Sequence, residues 1–407
     1  MRDTHIMTDV QSTPTYLRRS GFAPDPDLAR AREAGGPWPV TTPFGLHADL
    51  VTRYADVRQV LGNTAGFGSA AGGFLTADPN ARGPHGERLA DLRAGNLLVL
   101  DPPDHTRLRR MLTPEFTGHR LSRLEGRIAE IVEQALDDVE RAGRPVDLIR
   151  LFALPVPSMV ICELLGVPYA DRDQFHARTA RQIDTSLPVA ERLDVLRENR
   201  EYMGHLVALA RSAPGEDTLG MLVREHGDEL STAELVGLAN LLLIAGHETT
   251  ANMFALGTLA LLAHPEQLAA VRDDPARTVP AVEELLRWLS VVHAAVPRTV
   301  RADAMVGDRP VAAGEHLLLS LSAANRDPAF VEDPDRLDIT RGAVGHVAFG
   351  FGRHHCLGAP LARLELRIGL PALLRRLPGL ALAVPADQLE FRSQTVVYGL
   401  RELPVTW

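Results

Sequence analysis

Only two cysteines occur in the 407 residues, Cys162 and Cys356. No disulfide framework can be built from them, and a reducing cytoplasm is the natural compartment. Basic residues are outnumbered by acidic ones, 43 to 52, and the formal charge of −9 argues against a nucleic-acid partner. Long apolar runs are also missing. The longest, around Leu241 to Ala245, is interrupted by Asn240 and followed by His247 and Glu248, too short and too polar to span a bilayer. The opening residues Met1-Arg2-Asp3-Thr4-His5-Ile6-Met7 contain no apolar leader, so no membrane association is expected. There is no internal repeat, no flavin or iron–sulfur motif, and no C-x-x-C or H-x-x-x-H cluster of the kind that marks zinc.

What is present suits a large globular core, with 45% hydrophobic residues. Residues 1–36 read as an irregular N-terminal segment, and 37–407 as one mainly α domain with small β-sheets at one side. Leu50 to Tyr54 alternates like a strand and Ala55 to Leu61 reads as a helix. Residues 63–95 read as a long functional loop. From 104 to 300 the pattern is helical, broken near Pro168, Pro188 and Pro214. Short hairpins are expected from Thr299 to Leu321, coil from 326 to 355, and short strands after 380. Cys162 lies in an apolar stretch and reads as a small core residue.

The most informative stretch is Phe349-Gly350-Phe351-Gly352-Arg353-His354-His355-Cys356-Leu357-Gly358. Its glycines allow close backbone approach to a flat ligand. Pro360 sits where a first helical turn belongs, and Leu361, Leu364, Leu366 and Ile368 follow. A cysteine just before a helix N-terminus points at unpaired N–H groups, which favours thiolate. A second unusual stretch lies inside a long helix. Ser231-Thr232-Ala233-Glu234 has capping-box spacing, and the helix is expected to run to about His264. Its middle, Ala245-Gly246-His247-Glu248-Thr249-Thr250, places a glycine, an acid and two β-branched alcohols where a buried helix would avoid them.

The cysteine stretch resembles the haem-binding signature F-G-x-G-x-H-x-C-x-G of the cytochrome P-450 superfamily, with all six fixed positions matched; the helix interior resembles its A-G-x-[D/E]-T motif. The resemblance covers about residue 37 to the end and is to the soluble bacterial, actinobacterial type. It implies the P-450 fold and a haem-thiolate monooxygenase with haem b. Cys356 would ligate the iron, with Phe349, Gly350 and Gly358 shaping the loop. Gly246 would let the helix open to dioxygen, while Glu248 and Thr249 relay protons. His105, Arg109, Arg298 and His354 would neutralise the haem propionates. Glu284 and Arg287, an E-x-x-R pair, would join Arg336 in a structural network, and His346 is expected to be structural.

The same resemblance places substrate contacts at Leu242, Ala245, Val292, Ala295, Val296 and Val396, apolar and mostly small, which suits a lipophilic substrate. Ala294, Thr249 and Val397 belong to the same surfaces. Hydroxylation or epoxidation in secondary metabolism fits the sequence flavour. The chain has no room for a fused reductase, so NAD(P)H electrons would arrive through a separate ferredoxin and ferredoxin reductase. Arg107, Arg110, Arg353, Arg363 and Arg367 would form their docking patch on a monomer. Two other classes fit less of the sequence: a haem sensor or carrier without turnover, and a thiol or zinc hydrolase built on His354, His355 and Cys356.

Overall fold

The computed structural model describes residues 13–42, 46–69, 93–167, 171, 181, 187–342, 345–392 and 395–407. Most of the expected loop at 63–95, and much of the connecting stretch near 180–190, lies outside them.

The molecule is organised around the helix Thr232–Leu262. Its capping box forms as the sequence suggests: Ser231 Oγ accepts from Glu234 N at 3.2 Å, and the Glu234 carboxylate accepts from Ser231 N at 2.9 Å. Of its 31 residues, 22 are buried, which makes it a helix enclosed on most of its circumference. Helices Pro155–Leu165, Val189–Ser212, Thr278–Leu289 and Ala359–Arg376 pack around it. Two glycines set the closest approaches. A Cβ on Gly237 would lie 1.7 Å from the Ala94 carbonyl oxygen, and one on Gly246 would lie 2.9 Å from Ile161 Cδ1. The helix Glu125–Ala142 buries Ile128, Ile131, Val132, Ala135, Leu136 and Val139, the spacing of one apolar stripe. Cys162 is buried in the core. Among the described residues no single helix is long and apolar enough to cross a membrane.

Five short strands make the main sheet, in the order Trp38–Thr41, His47–Val51, His316–Leu319, Val296–Val300 and Phe67–Gly68. The second and third run parallel, and the other neighbours antiparallel. The strand expected at 50–54 is thus shifted N-terminally, and the helix after it spans Tyr54–Gly62. The N-terminal segment is less irregular than expected. Pro26–Glu33 is helical, started by Asp25, whose side chain accepts from Asp27 N, and by Pro26 in the first turn. Tyr16, Leu17 and Leu28 join a small core with Leu50 and Leu318.

Below the central helix, Glu284 and Arg287 are both fully buried and joined by two 2.8 Å bonds. Arg287 also donates to the carbonyls of Asn325 at 2.9 Å, Pro334 at 2.8 Å and Arg336 at 3.4 Å. One buried guanidinium therefore fixes the coil leading to Cys356. The third charged member differs from expectation. Arg336 contributes only its carbonyl; its side chain is 59% exposed and pairs with Asp333 and Asp338. Arg341 reaches Glu284 instead, at 3.3 Å. Coil has no side-chain period, so sequence spacing could not show which arginine turns inward.

Glu283 ties the same helix to Ala359–Arg376. Its carboxylate accepts from Arg363 at 2.7 and 2.9 Å, from Arg367 at 3.3 Å, and meets His346 at 3.2 Å. Burial alone would push its carboxyl up, but the bonds from His346 and Arg363 hold it at about 2, below the ordinary 4.5. A depressed carboxyl stabilises the fold above its unfolded pKa, and that contribution is lost as pH falls through the folded value. Stability on the order of 2–3 kcal/mol should therefore disappear between about pH 4.5 and 2. Urea unfolding across this range checks it. Glu283→Gln should lose the stability at neutral pH and flatten the acid limb; an unchanged limb would contradict the pairing.

Candidate active site

The cysteine loop is shaped by short-range bonds. Gly350 N donates to Val347 O at 2.8 Å, His355 N to Gly352 O at 3.0 Å, and Cys356 N to Phe349 O at 2.9 Å. Gly352 is needed twice over: its φ is +71°, and a Cβ there would lie 2.6 Å from the Leu61 carbonyl oxygen. Gly350 also takes a positive φ, and Gly358 caps the helix Ala359–Arg376. Arg363 lies 4.6 Å over the Phe349 ring. The Cys356 side chain is exposed, yet the protein atoms crowded around it desolvate its thiol and push it up, against the N–H groups of Gly358 and Ala359 and the charge of Arg109, which pull it down. The helix terminus pulls towards thiolate, but in the protein alone desolvation outweighs it.

The four cationic candidates are distributed over three distant parts of the chain, and the fold gathers them. The His105 and His354 rings stand 4.2 Å apart. Arg109 donates to the His355 carbonyl at 2.7 Å. Among the described residues, the Nε atom of Arg298, a side chain 3% exposed, has no partner, and neither do the ring nitrogens of the buried His105. Their charges oppose one another. Burial, then Arg298 and His105, push His354 down to about 4, and burial pushes Arg298 down to about 10. The nearby Asp101 is already engaged by Arg301 at 2.5 Å and by Ser69 N. Ser69, which the sequence reading missed, also meets His354 Nε2 at 3.2 Å.

In the central helix, Ala245 is exposed although Leu242, Leu243, His247 and Glu248 around it are buried. Thr249 lies one turn on, half-buried, and its Oγ1 donates to Ala245 O at 2.7 Å. The adjacent Thr250 is buried. The helix runs unbroken past Gly246, whose contact is with Ile161. Glu248 is 2% exposed and turned away from Thr249's face, towards Asn252 and Arg392.

The substrate-contact candidates divide. Val292 and Val397 form an isolated β-bridge, and Ala294 N donates to Val396 O at 3.4 Å, so those two segments lie side by side. Ala294, Ala295, Val296 and Val396 are half-buried and rest against three different hydrophobic clusters, where the clusters meet. Leu242 belongs to the core instead. Half-buried Leu241, missed in the sequence, is four residues before Ala245 and shares its face.

The arginine patch also divides. Arg107 pairs with Glu234 at the start of the central helix, while Arg363 and Arg367 are held by Glu283. Arg110 and Arg353 are exposed and line one groove with His105, Arg109 and Gly352. An apolar groove of about 760 Å³ between the helix Pro265–Asp273 and the C-terminal strands includes neither Cys356 nor the Ala245–Thr249 turn. Among the described residues, no three His, Cys, Asp or Glu side chains gather as a metal site, so the zinc reading finds no ligand set.

Residues 215–379 match the cytochrome P450 family model. Cytochrome P450 FAS1 of Rhodococcoides fascians is 49% identical over 98% of this chain and 100% of its own. The structure of P450 StaH from glycopeptide antibiotic A47934 biosynthesis superposes with TM-score 0.86 at 46% identity, over 97% of this chain and 100% of that one. The mycinamicin VIII C21 methyl hydroxylase of Micromonospora griseorubida gives 0.89 at 36% identity, over 97% and 99%. The chain belongs to the cytochrome P450 family and is one of its monooxygenases. The family implies haem, and the donor set fits it. A single thiol sits in a glycine-rich loop, and beside it two arginines and two crowded imidazoles, with nitrogens unpartnered among the described residues, lie where carboxylates could accept from them.

Proposed function

We propose that the protein hydroxylates or epoxidises a lipophilic small molecule in secondary metabolism. It would work in the cytoplasm as a monomer, on NAD(P)H electrons passed through a separate ferredoxin and ferredoxin reductase. The net reaction is R–H + O₂ + 2 e⁻ + 2 H⁺ → R–OH + H₂O for hydroxylation. When bound, haem b with a cysteine thiolate supplies dioxygen activation. Cys356 would hold it through its sulfur, with Phe349, Gly350 and Gly358 shaping the loop around that sulfur, and His105, Arg109, Arg298 and His354 would pair with its propionates.

The observation that carries the reading is the Ala245–Thr249 turn: an accessible alcohol beside a buried acid with its own basic partner. Once a substrate covers this turn and excludes water, protons must come by a positioned route. Thr249 Oγ1 donates inward to Ala245 O, which leaves its lone pairs free to accept from outside the helix. Glu248 would renew the proton that Thr249 passes on, and Gly246 would give that turn room to move against Ile161. Ala245, Leu241, Val292, Ala295, Val296 and Val396 would hold the substrate, with Leu242 supporting them from the core. The neighbours named above, from glycopeptide antibiotic biosynthesis and mycinamicin VIII hydroxylation, support a natural-product substrate. Arg110 and Arg353 are the members of the arginine patch available to an acidic ferredoxin.

The test is a spectral-shift screen of lipophilic compounds, followed by turnover with NAD(P)H, ferredoxin and reductase. The reading expects an oxygenated product that incorporates one atom from ¹⁸O₂. Tight binding without NAD(P)H-dependent product from any ligand would favour a sensor or carrier.

A further inference from the structure

Glu248 presents a problem that its own helix does not solve. It is 2% exposed, and a buried carboxylate is costly without a charged partner. Among the described residues, the basic group within ion-pair reach is Arg392, whose Nη2 lies 3.5 Å from Glu248 Oε2. At that length the pair is held more by charge than by a directional bond. Asn252 supplies the directional part. Its Nδ2 donates to Glu248 O at 2.7 Å and reaches Glu248 Oε2 at 3.4 Å, while its Oδ1 accepts from Arg392 Nη2 at 3.0 Å.

Arg392 comes from another part of the fold, the C-terminal hairpin. Its strand, Phe391–Arg392, pairs with Gly399–Leu400. The hairpin can press against the helix here because residue 399 is glycine: a Cβ there would lie 1.6 Å from Asn252 Oδ1. The Arg392 side chain is 25% exposed, with its Nε enclosed, so the side chain that reaches a buried acid also reaches solvent. The same hairpin carries Val396 and the Val397 bridge to Val292. The neighbouring His247 is fully buried, and burial followed by the charge of Arg392 keeps it neutral, at about 3, so it does not compete as the cation.

We propose that Arg392 is a positioning residue for oxygen activation: with Asn252 it holds Glu248 at the solvent-facing end of the relay, so that the C-terminal hairpin governs proton entry. The inference rests on Glu248 and Thr249 forming the relay. The loose charge contact lets the carboxylate swing from Arg392 towards Thr249 and back, and the partly exposed Arg392 side chain gives its resting position a route to water. No electron moves in this step; one proton passes from solvent to Glu248, and then to Thr249.

The experiment compares wild type, Arg392→Gln, Arg392→Lys, Glu248→Gln and the double variant as holoenzymes. Product and hydrogen peroxide per NAD(P)H are measured in H₂O and D₂O, and substrate affinity by spectral titration. Urea unfolding of the four corners of the Glu248→Gln and Arg392→Gln cycle gives a readout independent of turnover. Expected are about a tenfold loss of product per peroxide in Arg392→Gln, a larger solvent isotope effect, affinity within about twofold, and substantial rescue by lysine. The double variant should be no worse than Glu248→Gln, and the unfolding cycle should be non-additive. Normal coupling in Arg392→Gln beside uncoupled Glu248→Gln overturns the inference alone. Normal coupling in Glu248→Gln overturns the relay, and the inference with it. Should Arg392→Gln fail to fold, Asn252→Ala takes its place; it keeps both charges but removes the amide clamp, and full coupling in it overturns the proposal.

Discussion

Thr249→Ala is expected to keep haem, substrate binding and electron uptake, yet to send most NAD(P)H electrons to hydrogen peroxide. Cleaving the bond of dioxygen with formation of water consumes two protons, and release as peroxide consumes two as well: O₂ + 2 e⁻ + 2 H⁺ → H₂O₂. The relay decides between these outcomes by delivering protons in position. General acid–base help of this kind is worth about 10²–10⁴-fold. Thr249 is the alcohol on the open face, one turn from exposed Ala245. Thr250 is 3% exposed on the adjoining side of the helix, and Thr250→Ala should stay far closer to wild-type coupling. Product and peroxide per NAD(P)H in both variants check this. Full coupling in Thr249→Ala would show that a substrate hydroxyl or an ordered water does the work.

Arg287→Leu is expected to leave little folded protein. Its guanidinium and the Glu284 carboxylate are both fully buried, and three backbone carbonyls of the 325–336 coil also depend on it. Removing one partner of a buried pair costs about 3–5 kcal/mol, against a total stability of about 5–15 kcal/mol for a typical domain. Arg287→Lys should rescue poorly, because a single ammonium cannot make this set of bonds. Arg336→Ala, at an exposed side chain, should change stability by about 0.5 kcal/mol or less, and Arg341→Ala by more. Urea unfolding ranks the variants, and a larger effect at Arg336 than at Arg341 would contradict the observed network.

How much of this was legible in the sequence depended on distance along the chain. The cysteine loop could be read whole because its glycines, histidine, cysteine and following helix start lie within a dozen residues. The central helix could be read because its capping box is local and its odd polar residues interrupt a long apolar stretch. The helix at Pro26 was missed although Asp25-Pro26 is a start signal, since only Leu28 and Ala31 are buried on it. Sidedness was harder. Leu241 rather than Leu242 shares the face of Ala245, a difference of one residue and about 100° of rotation. Contacts between remote coils were beyond reach: Arg341 in place of Arg336, Glu283 holding Arg363 and Arg367, and Arg392 arriving at Glu248 from 144 positions away all depend on how the elements pack.

The claim on which the rest stands is that Cys356 holds the haem iron as thiolate. It is tested by the absorbance spectrum of the purified, reduced protein under carbon monoxide, recorded for wild type, Cys356→Ala and Cys162→Ser. The strongly red-shifted Soret band of thiolate ligation should appear in wild type and in Cys162→Ser, where the buried cysteine is one core side chain among many, and should vanish in Cys356→Ala. A band that survives in Cys356→Ala, or is lost through Cys162→Ser alone in protein that is folded, would contradict the assignment.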